Sequence, residues 1–259
     1  MGRFVLVHGA CVGGWIWEKL VPLLEGAGHR VEAPDLPGSG DDPTPIEEVS
    51  LQGYADRISE VLDAHPEPAV LVGQSSGGLV ISQAAEQRPD KVETLVYVAA
   101  YLLRDGESLN SVAENDTESL LLANLVMSED GSSFTFREEV IGEALFADCS
   151  EEDMERAKAR FQPQAEAPTA TPVSLTEGNF GRVPRVYVET LKDRTLSPWL
   201  QKEMYERMPC RKVISMDTGH LPFYAAPEEL AGHLTSLLAR DGGGGPDRAQ
   251  QPRPPVPGR

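Results

Sequence analysis

Basic charge is scarce in this chain: 23 lysines and arginines face 41 aspartates and glutamates, a formal net charge of -18. Such a surface repels phosphate backbones and anionic membrane faces, so neither nucleic acid nor membrane is expected as a partner. Cysteine is scarcer still. Cys11, Cys149 and Cys210 are odd in number, far apart and without metal-ligand spacing, which argues against a disulfide framework and a zinc site. No apolar run is long enough to span a bilayer, and the N-terminus lacks a basic segment followed by an apolar stretch and a small-residue cleavage site. The expectation is a cytoplasmic protein. Oligomeric state is not legible. Histidine is also rare, five in the whole chain.

What is present is enough apolar material for one core, since 40% of 259 residues are hydrophobic. Valine-rich runs at Phe4–Val7, Val31–Ala33, Ala69–Val72, Val92–Ala99, Val186–Val188 and Val213–Met216 read as strands buried on both faces. Helix-length segments lie between or after them: Trp15–Ala27, Leu51–Ala64, Gly77–Gln87, Ser197–Met208 and Pro227–Ala239. This alternation predicts an α/β fold with a mostly parallel sheet. Arg104–Gly181 breaks the pattern. It lacks a clear buried strand, carries acidic helical stretches such as "SEEDMERAKARF", and is expected to be an inserted, mainly helical cap between core segments 1–103 and 182–240. From Asp241 to Arg259 the glycine- and proline-rich tail buries almost nothing and is expected to be disordered.

The chemistry centres on "LVGQSSGGLV", where a strand, a sharp turn and a helix start follow one another. Gly73-Gln74-Ser75-Ser76-Gly77 fits G-x-S-x-G, which arises by accident in about one chain of this length in ten. The strand-turn-helix context is that of a nucleophile elbow and makes Ser75 the nucleophile, whereas Ser76 fits the pattern poorly. A serine needs a base. Only His220 and His233 follow Ser75, and His233 lies within the apolar pattern of the last helix, so His220 in "MDTGHLPF" is the candidate. The orienting acid is expected at Asp193, just past the penultimate strand. Asp217 lies only three residues from His220, about 10 Å along an extended chain, Glu189 is still within the strand, and Asp105 is a reserve. Backbone N–H groups of Ser76 and of the loop in "VLVHGACVGGW" can face a developing oxyanion. Ala10 is the expected second donor, Gly9 the next, and His8 is expected to brace that loop.

Taken together, "FVLVHGAC", "GGWIWEKLVPLLEGAGHRVEAPDLPGSG", "LVGQSSGGLV", "RVYVETLKDRTLSPWLQ" and "GH" resemble, in order, an α/β-hydrolase of the plant methylesterase and hydroxynitrile lyase branch and its bacterial esterase relatives. The likeness covers the core, while Arg104 to about Phe161 matches only in length and character. It implies Ser75, Asp193 and His220 as a triad, with Ala10 and Ser76 as oxyanion donors. Hydroxynitrile lyases of this branch carry a threonine after the first-loop histidine and a lysine after the catalytic one; here those positions are Gly9 and Leu221, which disfavours cyanohydrin cleavage. Gln74 and Ser76 replace a common histidine and leucine. The expected reaction is hydrolysis of a small-molecule ester through an acyl-enzyme, without metal or organic cofactor. A lyase or cyclase using the same residues is the first rival, and a non-catalytic ligand-binding module the second. The substrate pocket is expected around Gly9, Trp15, Trp17, Leu221 and the apolar run "LLLANLVM", suited to medium or aromatic esters.

Overall fold

The computed structural model describes residues 1–238, so the tail from Asp241 lies outside the described residues. β1 (Arg3–Val7) leads through a 3-10 turn (Gly14–Trp17) and α1 (Leu20–Gly26) to β2 (Arg30–Glu32). α2 (Leu51–Asp63), β3 (Ala69–Gln74), α3 (Gly77–Gln87) and β4 (Val92–Val98) follow. The chain then leaves the sheet through α4 (Leu109–Ala113), β5 (Leu125–Met127), β6 (Ser133–Phe136), α5 (Glu138–Leu145), α6 (Glu151–Lys158), β7 (Gln164–Ala165) and α7 (Ala167–Ala170). It returns with β8 (Arg185–Thr190), α8 (Pro198–Arg207), β9 (Lys212–Met216), α9 (Pro222–Ala225) and α10 (Pro227–Ser236). Among the described residues no helix is long and apolar enough to cross a membrane.

Six strands form one parallel sheet in the order β2-β1-β3-β4-β8-β9. Side chains alternate across a strand, and here both faces are apolar, which is why the runs read as unbroken valine and leucine. Phe4, Leu6, Val70, Val72, Val96 and Val98 turn to the face covered by Leu20 and Leu24 of α1 and Leu230 and Leu234 of α10. Val5, Val7, Leu71, Leu95 and Tyr97 turn to the other, under Ile58 and Leu62 of α2, Ile81 of α3 and Met204 of α8. Each such side chain, removed from water, contributes about 1.5–3 kcal/mol.

Strand order reverses between β1 and β3. From β1 the chain runs outward to β2, jumps back, and then builds the sheet in the other direction from β3. Loops leaving β1 and β3 therefore part to opposite faces and open a crevice at their carboxyl ends, the place where open α/β sheets hold ligands.

Two local expectations are corrected. The helix predicted over Trp15–Ala27 is split, because Gly14 is pressed so close to the backbone that a Cβ there would stand 2.1 Å from the Ala33 carbonyl oxygen. Its N–H donates to Asp35 Oδ1 at 2.6 Å, and the α-helix starts only at Leu20. The segment 104–181 holds four short α-helices and also a three-stranded antiparallel sheet, β5-β6-β7. A tight turn around Gly131 (φ +70°), with Asp130 accepting from Ser132 N at 3.1 Å, reverses the chain between β5 and β6. Phe134 and Phe136, two residues apart, turn inward together.

Candidate active site

Ser75 follows β3 at φ +53°, in the left-handed region that a side chain normally avoids at a cost of about 1–3 kcal/mol. Surrounding bonds over-determine it. Its N–H donates to the carbonyls of Val98 (3.3 Å) and Ala99 (3.2 Å), and its own carbonyl accepts from Gly78 N and Tyr101 N, each at 3.1 Å. Close approach explains the glycines: a Cβ on Gly77 would lie 2.7 Å from the Val7 carbonyl oxygen, and one on Gly78 2.2 Å from that of Tyr101.

His220 follows β9 and is 2% exposed. Its Nδ1 stands 2.7 Å from Asp193 Oδ2. Five donors converge on the Asp193 carboxylate. Thr195 N (2.8 Å) and Leu196 N (2.9 Å) reach Oδ1, while Thr190 Oγ1 (2.9 Å), Gln201 Nε2 (3.1 Å) and His220 Nδ1 reach Oδ2. With both oxygens occupied the carboxylate cannot turn. The other carboxylates are engaged elsewhere: Asp217 pairs with Lys192, Glu189 accepts from Ser215 and Tyr205, and Asp105 accepts from Leu175 N. His233 sits in the last turn of α10 beside Glu229.

In the loop after β1, His8 is buried and bonded at both ring nitrogens. Nδ1 lies 2.8 Å from the Gly9 carbonyl, and Leu36 N donates to Nε2 at 3.2 Å. These partners require a neutral ring protonated on Nδ1, and burial holds the His8 pKa below its ordinary 6.5. A peptide's C=O and N–H point in opposite directions, so holding the Gly9 carbonyl also aims the Ala10 N–H. Among the described residues, the N–H groups of Ala10 and Ser76 donate to no protein group.

A cavity joins these parts, lined by Ala10, Ser75, Ser76 and His220 and, from the segment between β4 and β8, by residues including Leu121, Leu122, Phe134, Phe136, Leu145 and Phe161. Among the described residues no Asp, Glu, Lys or Arg lines it. Its Asn110, Thr169 and Thr195 side chains donate to Glu166 Oε1, the Glu166 carbonyl and the Ala144 carbonyl. Leu221 lines the cavity, whereas Trp15, Trp17 and Gly9 do not. Trp15 carries the Arg160 guanidinium 4.4 Å above its ring, and Trp17 is buried against Phe223. Ile16, between them in the 3-10 turn, faces the cavity instead. Gly9 packs beneath the elbow, where a Cβ would stand 2.5 Å from Gln74 Oε1. Gln74, unexplained by sequence, fills that space, and its Nε2 is 3.4 Å from the His220 carbonyl. The roles of Gln74 and Gln201 carried no sequence signal, because although both lie within recognisable stretches, neither stands at a position whose chemistry the motif prescribes.

A family profile described as "Alpha/beta hydrolase family" matches residues 4–233. Methylesterase 2 of Arabidopsis thaliana is 33% identical over 250 residues, 91% of this chain and 95% of that protein. A pyrethroid hydrolase of Sphingobium wenxiniae is 33% identical over 236 residues, covering 88% of this chain and 84% of its own. Among solved structures, a pyrethroid hydrolase from Sphingobium faniae superposes with a TM-score of 0.83 at 30% identity, covering 91% and 96% of the two chains.

Proposed function

The chain belongs to the alpha/beta hydrolase family, and on that premise we propose that it hydrolyses neutral, largely apolar carboxylic esters through an acyl-enzyme on Ser75. The observation that carries this reading is the 2.7 Å contact of His220 Nδ1 with Asp193 Oδ2, in a cavity that His220 shares with Ser75. The relatives' names, methylesterase and pyrethroid hydrolase, are those of ester-cleaving enzymes and support it.

His220 takes the proton from Ser75 Oγ as that oxygen attacks the ester carbonyl. Asp193 holds the ring with Nε2 toward the serine and stabilises the imidazolium that forms. Charge gathers on the carbonyl oxygen, which rests on the Ala10 and Ser76 N–H groups. Ser76 caps the N-terminus of α3, an 11-residue helix whose positive dipole end adds to that stabilisation. The imidazolium then protonates the departing alcohol, and water, activated in turn by His220, releases the acid. The apolar wall and the engaged state of Asn110, Thr169 and Thr195 favour substrates without charge. In this reading residues 104–181 form a cap over the cavity. Leu221 offers no cation to a departing cyanide, and the relatives do not favour a lyase.

A fluorophosphonate probe tests the assignment. It is expected to label Ser75 alone, and Ser75→Ala is expected to lose p-nitrophenyl acetate hydrolysis by at least ~10³-fold without change in the melting transition. Labelling elsewhere, or an active Ser75→Ala, would overturn it. Burial pushes the thiols of Cys11 and Cys149 up to about 12 and that of Cys210 to about 11, so none competes as a nucleophile.

A further inference from the structure

Ala10 sits between two peptide planes, and different parts of the molecule hold them. The Gly9–Ala10 plane is held from the core by His8. The Ala10–Cys11 plane is held from the cap, where Gln164 of β7 accepts from Cys11 N at 3.3 Å. Resting on the esterase reading, with Ala10 as an oxyanion donor, we infer that Gln164 is a positioning residue for the oxyanion loop and that the oxyanion hole is complete only while β7 is docked.

Three observations carry this. Cys11 is buried at φ +64°, a left-handed conformation that a non-glycine residue keeps only where its surroundings impose it. Both backbone groups of Cys11 that could impose it are tied to the cap: its N–H to Gln164 Oε1, and its carbonyl to Gln162 N at 3.0 Å. Gln164 is itself immobilised. It is 5% exposed, and its Nε2 donates to Tyr54 Oη at 2.9 Å and to the Ala165 carbonyl at 3.2 Å, so the amide cannot rotate away from Cys11. Tyr54 lies on α2, so one side chain links a core helix, the cap sheet and the loop beneath the substrate carbonyl.

Without the Gln164 acceptor, the Cys11 N–H becomes a buried donor without a partner, and the loop relaxes toward ordinary φ values. The Ala10 N–H is then aimed by the His8 contact to the Gly9 carbonyl alone and drifts off the line that meets a tetrahedral oxyanion. Ground-state binding in the apolar cavity is untouched, because Gln164 does not line it. The loss therefore falls on kcat rather than KM.

The test compares wild type, Gln164→Met and Gln164→Glu on p-nitrophenyl butyrate, with inhibition by an alkyl trifluoromethyl ketone, which forms a tetrahedral adduct. Deleting an oxyanion donor outright costs 10²–10³-fold, so misaiming one is expected to lower kcat about tenfold in Gln164→Met, with KM within about twofold. The ketone's Ki rises by the same factor as kcat falls. Gln164→Glu keeps an acceptor for Cys11 N–H but loses the donor to the Ala165 carbonyl, so its kcat is expected between those of Gln164→Met and wild type. Unchanged kcat and Ki in Gln164→Met, or a loss confined to KM, would overturn the inference. Should that variant not fold, Tyr54→Phe loosens Gln164 from the core side: a kcat loss with constant KM supports the inference, and wild-type kcat refutes it. A wild type that hydrolyses no ester removes the underlying reading as well, an outcome distinct from an active wild type indifferent to Gln164.

Discussion

His8 shows how a single ring sets the direction of a backbone donor, and that arrangement carries a pH dependence. The ring is neutral in the folded chain and its pKa lies below 6.5, whereas an unfolded chain takes up that proton near 6.5. The stability that His8 contributes is therefore complete above pH 6.5 and is lost as pH falls toward the lowered folded value. Wild type is expected to lose more melting temperature than His8→Gln between pH 7.5 and 5.5; equal losses would show that the ring tolerates the proton. Sequence order made Ser75 and His220 legible as candidates, because a G-x-S-x-G between strand and helix and a histidine after the last strand each leave few alternatives. Asp193 needed the further step of knowing which loops end at the same sheet edge. Trp15 was misread for a geometric reason: a 3-10 turn has three residues per turn, and here it sends Ile16 rather than its aromatic neighbours into the cavity. Gln164 was illegible, since its partners are 110 and 153 residues away in the chain.

At the scale of elements, the elbow is a place where backbone meets backbone, and that limits what its glycines can become. A Cβ on Gly78 would meet the Tyr101 carbonyl oxygen at 2.2 Å, and neither partner is a flexible side-chain end. Gly78→Ala is expected to cost about 1–3 kcal/mol in urea unfolding and, by shifting the Ser75 carbonyl that both segments bond, to reduce turnover more than tenfold. Gly26→Ala is the contrast, with no atom within 4 Å of the added Cβ and a place in the last turn of α1. It is expected to be neutral or slightly stabilising, and a large loss there would undermine the reading of both. The six parallel strands were legible because burial on both faces leaves continuous apolar runs. The cap sheet was not, since its strands span two to four residues and only Phe134 and Phe136 record the alternation. An Asp130-Gly131 pair before "SSFTF" was the one turn signal that could have announced it.

For the whole molecule, the reversal of strand order places loops from β1 and β3 across one crevice, and residues of the 104–181 segment close it with a wall that, among the described residues, carries no Asp, Glu, Lys or Arg. The wall therefore treats what arrives and what departs differently. A neutral ester enters this largely apolar cavity at little cost, but cleavage leaves a carboxylate there, and an unpaired charge in such surroundings is unfavourable by several kcal/mol. The acid's Ki should therefore exceed the ester's KM by about a hundredfold or more. Steady-state inhibition by the acid checks this, and a Ki at or below the ester's KM would contradict it. The absence of charge that admits the ester thus makes the reaction expel its own product, and the net charge of -18 outside speeds that departure.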